Sequence, residues 1–282
     1  MIKIIECPRD AIQGLKHFIP TEKKINYIQN LLDFGFDTID FGSFVSHKAI
    51  PQMKDTEKVL ESLDLSNTNT KLLSIVANTY GAKIACDFDK ITYLGFPFSI
   101  SDTFLKNNIN SSISKSLLTT SKILDICDKH NKELVVYMSM GFGNPYNDKW
   151  SIELVEDWIS VLVKLGVKII SLSDTLGIST PENISTIFNS VISKYPIVEF
   201  GFHLHTDNDN WEQRIDAAYK AGCKRFDSVI AGFGGCPLSG YDMIGNQKTT
   251  QLIEYFDKNN IEHNIDDLSG MKIKAIKFYN NL

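Results

Sequence analysis

Features of a secreted or membrane-bound protein are scarce in this sequence. The 282 residues include five cysteines that form no C-x-x-C pair, and their spread fits a reducing compartment better than a disulfide framework. No apolar run approaches the roughly 18 to 20 residues that a membrane-spanning helix needs. Residues 1–6 reach a charge too soon for a signal peptide. We therefore expect a cytoplasmic protein.

A basic run is absent as well. The chain has 29 Lys and Arg against 34 Asp and Glu, a net charge of -5, so it has no electrostatic footprint for nucleic acid or for an anionic membrane. A hydrophobic share of 43% and a charged share of 22% are those of a globular protein and argue against disorder. An anionic small molecule remains compatible with a local pocket.

The sequence does contain a regular alternation of short β-branched apolar runs with amphipathic helical stretches, which predicts a parallel sheet. Eight such runs occur, at residues 2–7, 38–42, 71–76, 91–98, 133–140, 168–172, 198–205 and 225–230. The helical stretches have recognisable ends. Thr180, Pro181 and Glu182 give a capping residue, a first-turn proline and an acid in order. Gly166 and Gly222 each close a helix just before a strand.

The number and continuity of these units favour one fold. Eight units without a dividing linker indicate a closed (β/α)8 TIM barrel, class α/β, over residues 1–260, followed by a short C-terminal helical appendage over residues 261–282. The alternative is a two-lobed open sheet. The polar stretch at 107–112 is interpreted as a loop, and one further helix is predicted from Asp266 onward.

The reactive residues of such a barrel lie at the carboxyl ends of its strands, where the loops converge. Polar or reactive side chains are found on or just after the first, second, sixth, seventh and eighth predicted strands. They are Cys7-Pro8-Arg9-Asp10, Asp40 with Ser43, Ser173-Asp174-Thr175, His203-Leu204-His205, and the segment from Gly232 to Asn246. This concentration predicts a site at one rim of the barrel.

His203 and His205 form the sharpest local signal. Strand residues two apart point to the same side, so both imidazoles can reach one ion. Oxygen atoms of Asp10 and Asn246 would complete a mixed nitrogen and oxygen site, which suits Mg²⁺ or Mn²⁺, with Zn²⁺ as an alternative. The other interpretation is two buried histidines whose ring nitrogens bond backbone groups.

Three further residues have two interpretations each. Arg9 either stabilises a developing oxyanion or forms a surface pair with Asp10. Asp174 is either an active-site carboxylate or a helix cap. Cys236 lies in a glycine-rich segment that lacks the spacing of a phosphate-binding loop. Its thiol either acts as an acid or base beside the metal site or is inert.

Several segments resemble the hydroxymethylglutaryl-CoA lyase family, in that family's order, from about residue 3 to residue 258. They are Cys-Pro-Arg-Asp-Ala-Ile-Gln at 7–13, Ile-Pro-Thr-Glu-Lys-Lys-Ile at 19–25, Ser-Phe-Val-Ser-His-Lys-Ala-Ile-Pro-Gln-Met at 43–53, Ser-Leu-Ser-Asp-Thr-Leu-Gly at 171–177, His-Leu-His at 203–205 and Ala-Gly-Phe-Gly-Gly-Cys-Pro at 231–237. The segments at 43–46 and 234–237 distinguish such lyases from sibling Claisen synthases and carboxyltransferases.

The resemblance implies a TIM-barrel metallolyase that splits 3-hydroxy-3-methylglutaryl-CoA, an acyl-CoA, into acetoacetate and acetyl-CoA. It places the family's metal ligands on Asp10, His203, His205 and Asn246. Its catalytic positions fall on Arg9, Asp40, Asp174 and Cys236. Substrate-binding side chains are expected at Gln13, Lys16, Lys48 and Tyr146.

Four positions depart from the family pattern. Asp40 stands in place of a glutamate, Asn144 of a cysteine, Ala11 of a glycine, and Thr206-Asp207 of Asp-Thr. One alternative is a sibling enzyme that cleaves another 3-hydroxyacyl-CoA or condenses acetyl-CoA with a 2-oxo acid. Another is a catalytically silent barrel that binds a CoA ester. A homodimer and a part in leucine degradation are left open by the sequence.

Overall fold

The computed structural model describes residues 1–206, 209–234, 244–265 and 267–279. Eight parallel strands within these residues form a closed barrel, in which each strand pairs with the next and the eighth pairs with the first. The strands are β1 Lys3–Glu6, β2 Thr38–Phe44, β3 Lys71–Val76, β4 Ile91–Ser99, β5 Glu133–Ser139, β6 Ile169–Asp174, β7 Glu199–Leu204 and β8 Arg225–Ser228. The predicted barrel is confirmed, and the open-sheet alternative is wrong.

Helices connect the strands and flank the barrel. Those in the described part of the chain are α1 Pro8–Ile12, α2 Thr21–Leu31, α3 Thr56–Ser62, α4 Thr79–Cys86, α5 Asp102–Ile109, α6 Ile113–Lys129, α7 Ile152–Lys164, α8 Pro181–Lys194, α9 Trp211–Lys220, α10 Thr249–Lys258 and α11 Leu268–Tyr279. Two short 3₁₀ turns occur at Leu32–Phe34 and Pro51–Met53.

The outer helices bury one face each. In α7, Val155, Ile159 and Leu162 are fully buried, at the spacing that places side chains on one side of a helix. Ser151 caps this helix by accepting a hydrogen bond of 3.1 Å from the Leu154 N–H. Burying an aliphatic side chain of this size stabilises the fold by about 1.5–3 kcal/mol.

The barrel interior is filled by side chains that face inward from alternate strand positions. Leu73, Val135 and Tyr137 belong to one buried interior cluster. Gly95 on β4 makes room for it, because a Cβ there would lie 2.5 Å from Ile75 Cδ1 and 3.0 Å from Tyr137 Cε2. The small residue on β4 therefore allows Tyr137 to pack beneath the rim.

Two sequence expectations need adjustment. The stretch at 107–112 is a loop only in part, since α5 continues to Ile109 and Asn110 ends it with a left-handed φ of 49°. The C-terminal helix begins at Leu268, and its Phe278 stacks on Tyr27 of α2 with ring centroids 3.9 Å apart. This last helix thus packs directly on the helical layer, and the division after residue 260 stays a prediction.

Two further properties follow from the described residues. Cys7, Cys86, Cys127 and Cys223 are buried free thiols, as expected for cysteines that act as small apolar side chains. Within the same residues, none of the helices has the length and apolar character needed to traverse a bilayer.

Candidate active site

Three potential metal ligands meet at the carboxyl rim of the barrel. Asp10, His203 and His205 are all buried, and their ligand atoms lie within 4.8 Å of one another. Asp10 belongs to α1, which follows β1 directly, whereas the histidines stand on and just after β7. The barrel therefore brings together a carboxylate and two imidazoles that are almost 200 residues apart in sequence.

The hydrogen bonds of the two rings define their tautomers. His203 Nδ1 lies 3.0 Å from Asp227 Oδ2, and His205 Nδ1 lies 3.3 Å from the Ile244 carbonyl oxygen. Since these oxygens accept hydrogen bonds, each Nδ1 carries a proton. A neutral ring then has its lone pair on Nε2, and the two Nε2 atoms are 3.1 Å apart. Two lone pairs at this distance repel each other, and a proton or a metal ion between them would remove that repulsion.

The separation of these nitrogens tests whether a metal fits. Two ligands at right angles on an octahedral ion with bonds of roughly 2.1 Å are about 3.0 Å apart, close to the 3.1 Å between the imidazoles. Burial and the neighbouring His203 lower the pKa of His205 to about 4, so this ring stays neutral and able to coordinate at neutral pH. The donor set fits a divalent cation, and imidazole with carboxylate suits several first-row ions.

The carboxylate of Asp10 is held in an ordered network. Oδ1 accepts hydrogen bonds from Arg9 Nη1 at 3.0 Å and from Gln13 Nε2 at 2.7 Å, and Oδ2 accepts one from Asn246 Nδ2 at 2.7 Å. Burial raises the pKa of Asp10, but Arg9 and the two imidazoles outweigh burial and lower it to about 2. Asp10 is therefore an anion throughout the neutral range.

Asn246 reaches this site through backbone pairing. Its N–H donates to the Gly232 carbonyl at 3.1 Å, and the next N–H, of Gln247, donates to Leu204 at 2.9 Å. Its side-chain Nδ2 donates to Asp10 and, at 3.0 Å, to the Phe233 carbonyl. The amide oxygen is thus the atom through which Asn246 would bind an ion, and its ligand role stays a prediction.

Arg9 is fixed by Asp40. Nε approaches the two Asp40 carboxylate oxygens at 3.2 and 3.0 Å, and Nη2 donates to Oδ2 at 2.5 Å. Burial lowers the pKa of Arg9, but Asp40 and Asp10 raise it well above its usual value. Burial raises the pKa of Asp40 to about 6 despite Arg9. Because both Arg9 and Asp10 are buried, the interpretation as a surface pair is wrong.

The carboxylate of Asp174 bonds backbone groups of the loop that leads to α8. Its Oδ1 accepts from the Ile178 N–H at 3.0 Å, and its Oδ2 accepts from the Ser179 N–H at 2.8 Å. Its neighbours Ser173 and Thr175 line the cavity beside the candidate metal ligands, and Asp174 is not among the lining residues. Strand alternation turns the Asp174 carboxylate into the loop that leads to α8, and its role as an active-site carboxylate stays a prediction.

One wall of a cavity of about 600 Å³ is formed by the candidate metal ligands Asp10, His203 and His205. Gln13 lines this cavity, and its amide donates to Asp10. Lys16, Lys48 and Tyr146 are not among its described lining residues, and the two lysines are exposed. Their contact with substrate stays a prediction, since local sequence does not fix the direction of loop side chains.

Sequence reasoning missed the opposite wall of the cavity. It is formed by the end of α5 and the start of α6, with Asn107, Asn108, Asn110, Ser111 and Lys115. The available signal was the unusually polar run at 107–112. Cys236 and Asp207, which the sequence singled out, lie outside the described residues.

A closed parallel barrel with a buried carboxylate and two histidines at its carboxyl rim has the architecture of a metal-dependent TIM-barrel enzyme. A family model described as HMGL-like matches residues 2–276. The mitochondrial hydroxymethylglutaryl-CoA lyase of Bos taurus is 31% identical over 254 residues, which cover 89% of this chain and 77% of that protein. The chain belongs to the HMGL-like family.

Solved structures extend this similarity to nearly the whole chain. The HMG-CoA lyase of Bacillus subtilis matches with a TM-score of 0.91 and 28% identity, over 99% of this chain and 93% of that chain. The HMG-CoA lyase of Acinetobacter baumannii, in complex with coenzyme A and 3-methylmalate, matches with a TM-score of 0.91 and 27% identity, over 99% and 92% of the two chains.

Proposed function

We propose that this protein is a divalent-metal-dependent carbon–carbon lyase that cleaves 3-hydroxy-3-methylglutaryl-CoA into acetoacetate and acetyl-CoA. The observation that carries the proposal is the placement of the buried Arg9 guanidinium beside the Asp10, His203 and His205 cluster on one cavity wall. The names of the bovine and bacterial relatives support the substrate.

The proposed metal ligands are Asp10, His203, His205 and the amide oxygen of Asn246. A bound divalent ion supplies Lewis acidity, which polarises the tertiary hydroxyl of the substrate and lowers its pKa. We propose Mg²⁺ or Mn²⁺ because half of the donor set is oxygen, and Zn²⁺ is the alternative.

The reaction breaks the bond between C2 and C3 of the acyl group. As a general base takes the proton of the hydroxyl, C3 becomes the ketone carbon of acetoacetate, and the bonding electron pair passes to C2 and the thioester oxygen. Arg9, held charged by Asp40 and Asp10, is placed to stabilise this enolate. We assign Cys236 as the acid that protonates C2, which completes acetyl-CoA.

The opposite cavity wall would receive the CoA part of the substrate. Amide and hydroxyl groups of the segment at 107–111, together with Lys115, match a ligand that carries amides and anionic phosphates. The bound coenzyme A named for the Acinetobacter relative supports an acyl-CoA partner. The unpaired thiols of the described cysteines are compatible with the cytoplasm as the proposed location.

The proposal is tested by cleavage of the substrate. Protein stripped with a chelator is incubated with 3-hydroxy-3-methylglutaryl-CoA, with and without added Mg²⁺ or Mn²⁺, and acetoacetate is measured. We expect metal-dependent acetoacetate, and none from the His203→Gln variant. Failure of the metal-loaded protein to exceed the metal-free control would reject the activity. Turnover of a different 3-hydroxyacyl-CoA instead would identify a sibling lyase.

A further inference from the structure

Behind the candidate metal ligands, the barrel interior holds a carboxylate that the proposed reaction does not use. Asp227 on β8 is paired in register with His203 on β7, and its side chain is buried. Because paired residues on adjacent strands present their side chains to the same face, the two groups meet inside the barrel. Asp227 Oδ2 lies 3.0 Å from His203 Nδ1.

The two imidazoles of the cluster are thus supported differently. His205 Nδ1 has a neutral partner, the Ile244 carbonyl, at 3.3 Å. His203 Nδ1 has a carboxylate partner at a shorter distance. A carboxylate behind a metal-binding imidazole fixes the tautomer and the ring orientation and increases the basicity of the ligating nitrogen.

We propose that Asp227 is a positioning residue that keeps the proton of His203 on Nδ1 and aims the Nε2 lone pair at the metal ion. This inference rests on the metal site of the proposed function. It adds a residue that contacts neither the ion nor the substrate and acts through His203 alone.

The surroundings of Asp227 are suited to this task. Arg225, fully buried two residues earlier on β8, places a positive charge near Asp227, which offsets part of the cost of burying a charged group. Ser171 Oγ also approaches Asp227 Oδ2, but at 3.4 Å, so the contact with His203 is the shorter of the two. The position of Asp227 is therefore compatible with a strong, directed hydrogen bond to the imidazole.

The Asp227→Asn variant separates charge from shape. The amide keeps the size of the side chain but removes its charge, and its NH2 group can donate to Nδ1 and move the ring proton to Nε2. Loss of a partner of this kind typically weakens metal binding 10- to 100-fold. Ser171→Ala is the matched control, because it removes a neighbour of Asp227 without touching His203.

The experiment titrates metal-free protein with MnCl2 and follows free Mn²⁺ by electron paramagnetic resonance. We expect a 10- to 100-fold larger Mn²⁺ dissociation constant for Asp227→Asn, and a change below about threefold for Ser171→Ala. Unchanged affinity of folded Asp227→Asn would overturn the inference. If the wild-type protein binds no Mn²⁺, that result rejects the metal site of the proposed function, and with it the role of Asp227.

A second measurement covers the case in which Asp227→Asn does not fold. The ¹⁵N–¹H NMR spectrum of the metal-free wild-type histidines, with His203 assigned by comparison with His203→Gln, reports directly which ring nitrogen carries hydrogen. We expect hydrogen on Nδ1 of His203, where Asp227 accepts its hydrogen bond. A His203 ring without hydrogen on Nδ1 would overturn the inference.

Discussion

Gly234 lies directly against Asp10. A Cβ on Gly234 would come within 2.7 Å of the Asp10 carbonyl oxygen and 2.9 Å of Asn246 Nδ2, and its φ is +96°. The glycine thus permits the backbone of one rim segment to touch the carboxylate-bearing helix α1. Side-chain chemistry alone does not build the cluster, because the segment that carries Gly234 must also approach α1 closely.

Gly234→Ala should therefore weaken metal binding. An alanine held in a left-handed conformation destabilises the fold by on the order of 1–3 kcal/mol, and this cost applies equally at Gly234 and at Gly166. Gly166, with φ +100° and no atom within 4 Å of its added Cβ, is the matched control. Calorimetric titration with Mn²⁺ should show at least tenfold weaker binding for Gly234→Ala and near wild-type binding for Gly166→Ala. Equal affinities in the two variants would mean that the contact with Asp10 does not matter.

Arg9→Lys should keep a positive charge but lose activity. Lysine cannot reproduce the paired Nε and Nη2 bonds to Asp40 and loses the guanidinium geometry. We expect kcat to fall about 10²- to 10³-fold, with Mn²⁺ affinity changed less than tenfold. Steady-state acetoacetate production measures kcat, and metal titration measures the Mn²⁺ affinity. Arg214→Lys on α9 is the control. Activity within tenfold of wild type would remove Arg9 from the chemistry.

Cys236→Ser should separate turnover from metal binding. A serine hydroxyl is a far weaker acid than a thiol, so the protonation of C2 slows, and we expect kcat to fall by about 10²- to 10⁴-fold. Mn²⁺ affinity should remain that of the wild type. Cys86→Ser, at a buried thiol on α4, serves as the comparison. Equal turnover of wild type and Cys236→Ser would assign the acid to another group.

Glu6 should make stability depend on pH. It is fully buried and accepts from the Ile230 N–H at 2.9 Å and from Thr249 Oγ1 at 2.6 Å. Burial raises its pKa from 4.5 to about 8, although both hydrogen bonds oppose the rise. The folded state thus retains a proton that the unfolded chain releases. The resulting stabilisation is fully present below pH 4.5 and is lost as the pH rises through about 8.

Glu6→Gln removes this dependence. Between about pH 5 and 8, the unfolding free energy of the wild type should fall relative to the variant by up to about 1.4 kcal/mol per pH unit. Urea unfolding in the presence of a chelator checks the slope, with Glu61→Gln at an exposed site as the control. Parallel pH profiles for wild type and Glu6→Gln would show that Glu6 titrates normally.

The fold was predictable because strand identity is a local property. The run at 71–76 coincides with β3 Lys71–Val76, since a sheet covered on both faces demands continuous apolar residues. The first strand was predicted too long, because Cys7 already precedes the helix that carries Arg9 and Asp10. Single residues at the ends of strands depend on the turn that follows them.

The site was predictable only where the two-residue period of a strand, or the location of reactive groups at the carboxyl ends of barrel strands, fixes the position of a residue. His203 and His205 share a side because the strand period is two. Asp227 was missed, since its contact with His203 depends on the register of two strands that the sequence does not reveal. The substrate contact expected for Lys48 stays a prediction for a related reason, because a loop has no period that fixes side-chain direction.

The central claim is that Asp10, His203 and His205 hold one ion together. Crystals grown with Mn²⁺, with data collected at the manganese absorption edge, test it most directly. We predict one anomalous peak within about 2.5 Å of both Nε2 atoms and of an Asp10 carboxylate oxygen. A structure in which the two imidazoles remain in direct contact and the manganese lies elsewhere would contradict the account.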